Sequence, residues 1–399
     1  MAQLLAEHIT ILPDSATLAM SKKVAELERK GLDIINLSIG EPDFKTPQYI
    51  QQAAQEAIET GEYFGYAPVA GYADLREAIA EKLCVENKIS CAPEQIVVSN
   101  GAKQSIFNTL VSLVDRGDEV IIYTPYWVSY DAMVRLVGGT PVYVQGSATH
   151  HFEPTPEQLD SAITSRTKAI VFSSPCNPTG HILSLKSLEG IATVLNKHAH
   201  VIVIADEIYE YINFTGMHAS LGALNGMQDR VVTVNGFSKG FAMTGWRIGY
   251  LTAPLWLANA CEKVQGQATS SPCSIAQRAA LAAIQGDRKD VKAMAAVYRK
   301  RRDLALSLLR KVPDLRVSAP SGAFYLFPDV SRYLNRTDGQ VVIRDSEALC
   351  MYLLQQAHVS VVNGEAFGMP GHIRLSYAVS EALLKTATER IAATLDRLY

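Results

Sequence analysis

Apolar residues recur along this chain with two periods, and the switching between them outlines its architecture. Near the start, a polar cap at Asp14 or Ser15 opens a helical pattern running to about Lys30, with Gly31 as its stop; residues 1–14 read as an extended arm. Ile34–Leu37 is a short strand pattern, and Pro47–Glu59 carries Ile50, Ala54, Ala57 and Ile58 at helical spacing. Asp74–Asn87 follows as an amphipathic helix. Gln95–Val98 is then a strand, and an apolar-periodic helix runs through Val114. From there strands are predicted at Glu119–Tyr123, Thr140–Val144, Ala169–Phe172, Val201–Ala205 and Val231–Val234, with helical patterns between most of them. This alternation predicts a largely parallel sheet with helices on both faces, an α/β unit whose ligands bind beyond the carboxyl ends of the strands.

After about residue 285 the pattern changes to a long basic helix, Val291–Leu309, and short strands at Leu315–Ser318, Ala323–Phe327, Val359–Val362 and His372–Leu375. Helices are predicted at Ser346–Gln356 and Glu381–Leu398. The expected organisation is a large α/β domain over 46–285 and a smaller α+β domain over 286–399, which the arm and helix of 1–45 join. A length of 399 residues suits two domains.

Bulk properties mainly exclude. A net charge of −3 gives no electrostatic case for nucleic acid or an anionic membrane surface. No run approaches a membrane span, the N-terminus lacks a basic leader, and six cysteines form no C-x-x-C pair. The expectation is a soluble, reduced, cytoplasmic protein.

Candidate chemistry falls at the ends of the predicted strands. Lys239 lies between Ser238 and Gly240 in a segment poor in charge, where desolvation can hold an amine neutral enough to attack a carbonyl as a Schiff-base lysine. Arg247 offers a planar fork for a phosphate. A lysine for an aldehyde and an arginine for a phosphate suit pyridoxal phosphate, although a lone lysine in a loop is more often a surface residue. Gly240 and Gly245 have P-loop spacing, but Trp246-Arg247 stands where that loop needs Lys-Ser or Lys-Thr. No G-x-G-x-x-G occurs, which disfavours a dinucleotide dehydrogenase.

Ser99-Asn100-Gly101-Ala102-Lys103 joins a strand to a helix N-terminus, the arrangement that makes an anion site from free backbone N–H groups. Trp127 is either a core residue or a cover for an aromatic ligand. Asn177, between prolines, is either part of a plain turn or a free amide donor. Asp206 ends a buried strand and needs a cation, from the protein or from a ligand. Asp206-Glu207 have no His or carboxylate cluster evident near them to complete a metal site, no H-E-x-x-H occurs, and His150-His151 reads as a surface loop. Arg374, within an apolar strand, requires a carboxylate from the protein or a substrate. The aromatic stretch Tyr63–Pro68 reads as a surface loop or as part of a subunit interface.

Together, Ser174-x-x-Asn177-Pro178-Thr179-Gly180, Asp206-Glu207-Ile208-Tyr209, Ser238-Lys239 with Arg247, and Arg374-Leu375-Ser376 resemble, in order and spacing, the fold-type I pyridoxal-phosphate aminotransferases. The phrases TPYWVSY, FAMTGWRIGY and PSGAF are similar to the prokaryotic branch of class I aspartate aminotransferases. The resemblance covers almost the whole chain. It implies pyridoxal phosphate bound by Lys239, with Asp206 on the pyridine nitrogen, Asn177 and Tyr209 on the 3-hydroxyl oxygen and Trp127 stacked on the ring. The phosphate would lie on Gly101, Ala102 and Lys103 with Ser238 and Arg247, and with Tyr66 reaching over from a neighbouring subunit of a homodimer. Arg374 would hold the substrate α-carboxylate beside Gly40. Ser15, Thr17 and Lys103 occupy the places that meet a distal carboxylate, which points to L-aspartate and 2-oxoglutarate. Ser15 could equally be a plain helix cap, and Lys103 simply exposed. Leu12 stands where relatives that accept prephenate carry lysine, which counts against that substrate. Cys176 and Gly236 depart from the family pattern, where asparagine and serine are found. Rivals are an aromatic, methionine or broad-range aminotransferase, a C–S lyase on the same scaffold, and, in another class, a non-catalytic ligand sensor.

Overall fold

The strands, in chain order, are β1 Ile35–Asn36, β2 Ile96–Ser99, β3 Glu119–Thr124, β4 Thr140–Gln145, β5 Thr167–Ser173, β6 Ile202–Asp206, β7 Val231–Gly236, β8 Gly249–Thr252, β9 Tyr325–Leu326, β10 Val359–Ser360, β11 Val362–Asn363 and β12 Ile373–Ser376. They come from a computed structural model that describes residues 4–10, 12, 15–216 and 218–399. Seven of them form one sheet in the order β2-β8-β7-β6-β5-β3-β4. β8 runs antiparallel to both of its neighbours, and every other pairing in the sheet is parallel.

Apart from the edge strand β4, the sheet is buried on both faces because its strands are largely apolar. Val120 and Ile122 pack with Ile106, Leu110 and Leu257 on one face. Ile121 and Tyr123 pack with Leu159, Leu188 and Ile191 on the other. The chain leaves β3 for β4 on one side and returns to β5 on the opposite side of β3. The sheet therefore reverses direction between β3 and β5, where a ligand crevice opens at the carboxyl ends.

The predicted strands of the sheet are all present within a residue or two at each end. The sequence reading placed no strand at Gly249–Thr252 and so missed β8. Leu315–Ser318 is not a strand: there the structure has only an isolated bridge between Arg316 and Asp329. Val359–Val362 is two strands, each pairing differently. Part of the supposedly extended arm, Glu7–Thr10, is a helical turn. Ser15 sits at the N-cap of the helix Ala16–Arg29, but its side chain makes no capping hydrogen bond; Asp14, the alternative cap, lies outside the described residues.

Met20 and Val24 of that helix share a core with Leu306, Leu349, Ile373 and Ile391, and β1 pairs in parallel with β10. Tyr209 and Ile212, from the segment after β6, reach into the same core.

A row of glycines crosses the sheet beside the crevice: Gly249 is registered with Ser99 on one side and with Gly236 on the other. A Cβ on Gly249 would lie 2.5 Å from the Ala102 nitrogen, and one on Gly236 would lie 2.8 Å from the Gly249 Cα. The absent side chains are what let the helix Ala102–Leu113 bring its N-terminus down onto the sheet. They also explain Gly236, since a serine has no room there. Gly249→Ala is expected to destabilise the protein by about 1–3 kcal/mol, through overpacking against backbone that cannot rotate away; thermal unfolding measures it.

Candidate active site

One edge of the sheet collects the carboxyl ends of β2, β3, β5, β6 and β7 together with the entry to β8. Most of the residues singled out from the sequence lie in the segments leaving that edge. Trp127 follows β3, Asn177 follows β5, Asp206 ends β6 with Tyr209 just after it, and Ser238 and Lys239 follow β7. Gly101 and Ala102 lie where β2 passes into a helix, and Arg247 precedes β8.

Asp206 is 4% exposed. Its Oδ2 accepts from the Tyr130 hydroxyl at 2.7 Å and its Oδ1 from the Ile208 N–H at 3.2 Å. Among the described residues no cation forms an ion pair with it. Burial pushes its pKa up to about 6, against the lowering effect of those two hydrogen bonds.

The Lys239 amine donates to the Gly40 carbonyl at 2.7 Å and lies 5.8 Å from the centre of the Tyr209 ring. Loss of water brings its pKa down to about 8; Arg374 and Arg247 add to the fall, while Glu41 and Asp206 oppose it. Near neutrality a usable fraction of this amine is already unprotonated.

Arg374, on β12, is 2% exposed. It donates to Asn177 Oδ1 at 2.9 Å and to the Ser38 carbonyl at 2.6 Å, and its Nε has no partner. No carboxylate pairs with it among the described residues, and burial lowers its pKa. Of the two sources of a carboxylate open to it from the sequence, the protein is therefore not one. Asn177 is buried, and accepting from Arg374 leaves its NH₂ as the half of the amide able to donate.

At the other end of the crevice, Gly101 has φ +86° and is the N-cap of the twelve-residue helix Ala102–Leu113. A Cβ there would lie 2.5 Å from Arg247 Nη2. The Arg247 guanidinium reaches only backbone carbonyls, those of Thr244 at 2.9 Å and Asn100 at 3.1 Å. Free helix N–H groups beside a guanidinium without a carboxylate partner form a concentrated anion site. The Lys103 side chain is exposed, with its amine 4.9 Å from the Trp127 ring centre; Trp127 in turn stands edge-on to Tyr130 at 5.4 Å.

Three predicted participants are not tied to this cluster. Tyr66 is 97% exposed on its loop. Among the described residues no side-chain hydrogen bond joins Ser15 or Thr17 to the other candidates; Ala16, between them, packs against the cluster containing Phe367, whose ring lies 5.0 Å from the Arg374 guanidinium.

Sequence reasoning missed three contributors. Tyr130 bonds Asp206, the Ser38 carbonyl receives Arg374, and Tyr325 on β9 bonds Tyr209 hydroxyl to hydroxyl at 2.8 Å. Tyr130 follows Trp127 by three residues, a helical spacing that could have flagged it. Nothing local marks Ser38 or Tyr325.

The expectation that no His or carboxylate cluster lies near Asp206-Glu207 is also corrected. Ligand-type atoms of Glu207, Glu210 and His218 lie within 4.8 Å of one another. The cation among them is Lys82, which pairs with Glu210 and donates to Asn87 at 2.7 Å. His218 meets Glu207 at 2.8 Å; burial works against its charge, but that carboxylate raises its pKa overall. This buried network braces the segment that carries Asp206 and Tyr209.

Comparison with known proteins gives one answer. The family model for aminotransferase class I and II matches residues 32–391. A bifunctional aspartate aminotransferase and glutamate/aspartate-prephenate aminotransferase of Petunia hybrida is 43% identical over 98% of this chain and 82% of its own. The crystal structure of the aspartate aminotransferase from Rhizobium meliloti superposes with a TM-score of 0.96 at 41% identity, covering 99% of both chains. That of Thermus thermophilus aspartate aminotransferase with maleate gives 0.92 at 42%, covering 98% of this chain and 99% of the other. The chain is a member of the class I and II aminotransferase family.

Proposed function

We propose that the chain binds pyridoxal phosphate and catalyses reversible ping-pong transamination between L-aspartate and 2-oxoglutarate, giving oxaloacetate and L-glutamate. One observation carries the reading. A desolvated amine, a buried carboxylate without a cation and a buried guanidinium without a carboxylate converge on one crevice, with an anion site at its far end. The residues fit the cofactor: among the described residues Asp206 pairs with no cation, Arg247 pairs with no carboxylate, and the Asn177 amide keeps its NH₂ as a donor.

When bound, the cofactor supplies an aldehyde carbon and a conjugated ring that accepts the electron pair left as the substrate's α-C–H bond breaks. Lys239 would hold the cofactor through its amine and, as the free base, would take the proton from the substrate α-carbon. Asp206, kept ionised by Tyr130 and the Ile208 N–H, holds a proton on the ring nitrogen. Asn177 and Tyr209 donate to the ring oxygen, and Trp127 covers the ring. Gly101, Ala102 and Lys103, with Ser238 and Arg247, hold the phosphate. Arg374 takes the substrate α-carboxylate beside Gly40.

The exposed Tyr66 fits a homodimer in which it reaches the phosphate of the neighbouring subunit. The domain division 1–45 with 286–399 and 46–285 belongs to the same reading, and the core shared by Met20, Val24, Leu306 and Ile391 supports it. Among the described residues no helix is long and apolar enough to cross a membrane; a cytoplasmic enzyme without nucleic-acid partners belongs to the same reading.

Preference for aspartate rests on Ser15, Thr17 and Lys103 meeting the distal carboxylate. Lys103→Ala is expected to lower kcat/KM for aspartate by about 10- to 100-fold while changing that for phenylalanine by less than about threefold, since only aspartate carries the second charge. Equal losses for both substrates would move the enzyme to the broad-range alternative. The Petunia relative's name includes prephenate; Leu12 is apolar and half-buried, which counts against prephenate as an acceptor. The same assay with prephenate tests that.

A further inference from the structure

Three groups of the site meet on a tyrosine to which the mechanism above assigns nothing. Tyr325 is 1% exposed on β9, in register with Ser376 of β12. Arg374, two residues from Ser376, is therefore its diagonal neighbour on the same face, and the guanidinium lies 4.6 Å from the Tyr325 ring centre. The Tyr325 hydroxyl fills the space where Gly40 has no Cβ, and the Gly40 carbonyl receives Lys239. The same hydroxyl bonds Tyr209 at 2.8 Å.

Two hydroxyls that bond each other have two hydrogens, and one of them is used between the pair. If Tyr209 donated, its hydrogen would be unavailable to any ligand. If Tyr325 donates, Tyr209 keeps its hydrogen for an acceptor in the crevice, and accepting a bond makes it a stronger donor. The Tyr325 ring has a second task. Arg374 lacks a protein carboxylate, and the electron-rich ring face holds the buried guanidinium in place before any substrate arrives.

We propose that Tyr325 is a positioning residue acting in both directions: its hydroxyl donates to Tyr209 so that Tyr209 can donate to the bound cofactor, and its ring seats Arg374 for the substrate carboxylate. The inference rests on the proposed function. The charged and titratable groups facing the tyrosine pair are Arg374, Asp206, Lys239 and Glu41, with the phenols of Tyr298 and Tyr377 beside Tyr325. None is altered by substituting Tyr325.

Two substitutions separate the tasks. Tyr325→Phe keeps the ring and removes the hydroxyl; Tyr325→Leu removes both. In the holoenzyme, Tyr325→Phe is expected to raise the pH midpoint of the bound cofactor's absorption change by about half a unit to one unit, as one donor on the ring oxygen weakens. It should lower kcat by about 10-fold with KM for aspartate within about twofold. Adding it to Tyr209→Phe should produce no further shift of the midpoint. Tyr325→Leu should show the same shift and, in addition, raise KM for both aspartate and 2-oxoglutarate by about 10-fold. An unmoved midpoint in Tyr325→Phe overturns the relay through Tyr209, and a KM in Tyr325→Leu no higher than in Tyr325→Phe overturns the seating of Arg374. Wild-type protein without a cofactor band overturns the functional reading, and this inference with it; a normal wild-type band beside an unmoved variant overturns the inference alone.

Discussion

Arg374→Leu is expected to lower kcat/KM by about 100- to 1000-fold for every amino acid and oxo acid tested, mostly through KM. Two charge-assisted hydrogen bonds to a carboxylate are lost, each worth about 1.5–3 kcal/mol. The loss is uniform because the α-carboxylate is the one group that all substrates share. The buried guanidinium makes the size of the effect credible: among the described residues it donates to the Asn177 amide oxygen and the Ser38 carbonyl, pairs with no carboxylate, and leaves its Nε without a hydrogen-bond partner. Stability should suffer little, since the substitution removes a buried charge for which the protein supplies no counter-charge. Steady-state kinetics with aspartate, glutamate and phenylalanine measure the effect. A loss confined to the dicarboxylic substrates would place Arg374 on the distal carboxylate instead.

Lys239→Ala should reduce turnover by roughly 10 000-fold or more, because both the covalent anchor and the group that moves the proton disappear. Phosphate contacts at Gly101–Lys103 and Arg247 are untouched, so some cofactor should remain bound, readable by its absorption after gel filtration. A second signature follows from charge. With the cofactor removed, wild-type Lys239 has a pKa of about 8 against the ordinary 10.5, so its charged form is disfavoured in the folded state. The resulting penalty on stability is fully present below pH 8 and is relieved as pH rises from 8 toward 10.5, where the unfolded chain binds the extra proton. Lys239→Met, which keeps the length of the side chain, should therefore melt above the wild type at neutral pH, with the gap closing in alkaline buffer.

Much of this architecture could be read from the chain because its strands are apolar on both faces and stand between helical patterns. That signal is local. β8 escaped notice because its four residues, Gly249–Thr252, follow closely on the loop that carries Lys239 and Arg247, and its antiparallel pairing with β2 and β7 depends on tertiary contact. Leu315–Ser318 has the alternation of a strand but finds only an isolated bridge. The residues of the crevice stood out where a charge interrupts an apolar run, as at Asp206, Lys239 and Arg374. Uncharged residues outside the recognised motifs, such as Tyr325 and Ser38, remained hidden. Tyr325 looks like any core aromatic until β9 is laid against β12, and the Ser38 carbonyl is a backbone atom with no signature in sequence. The buried network of Lys82, Glu207, Glu210 and His218 joins residues more than a hundred positions apart, so spacing along the chain could not announce it.

The central claim is that Lys239, Asp206 and Arg374 serve a single pyridoxal phosphate on which L-aspartate exchanges its amino group. The most direct measurement is the absorption spectrum of the purified protein before and after adding L-aspartate without any oxo acid. The account predicts a yellow band that aspartate converts to the shorter-wavelength band of the aminated cofactor, with release of oxaloacetate, and that 2-oxoglutarate then restores. A protein that shows no such band even after incubation with pyridoxal phosphate, or a band that aspartate leaves unchanged, would contradict it.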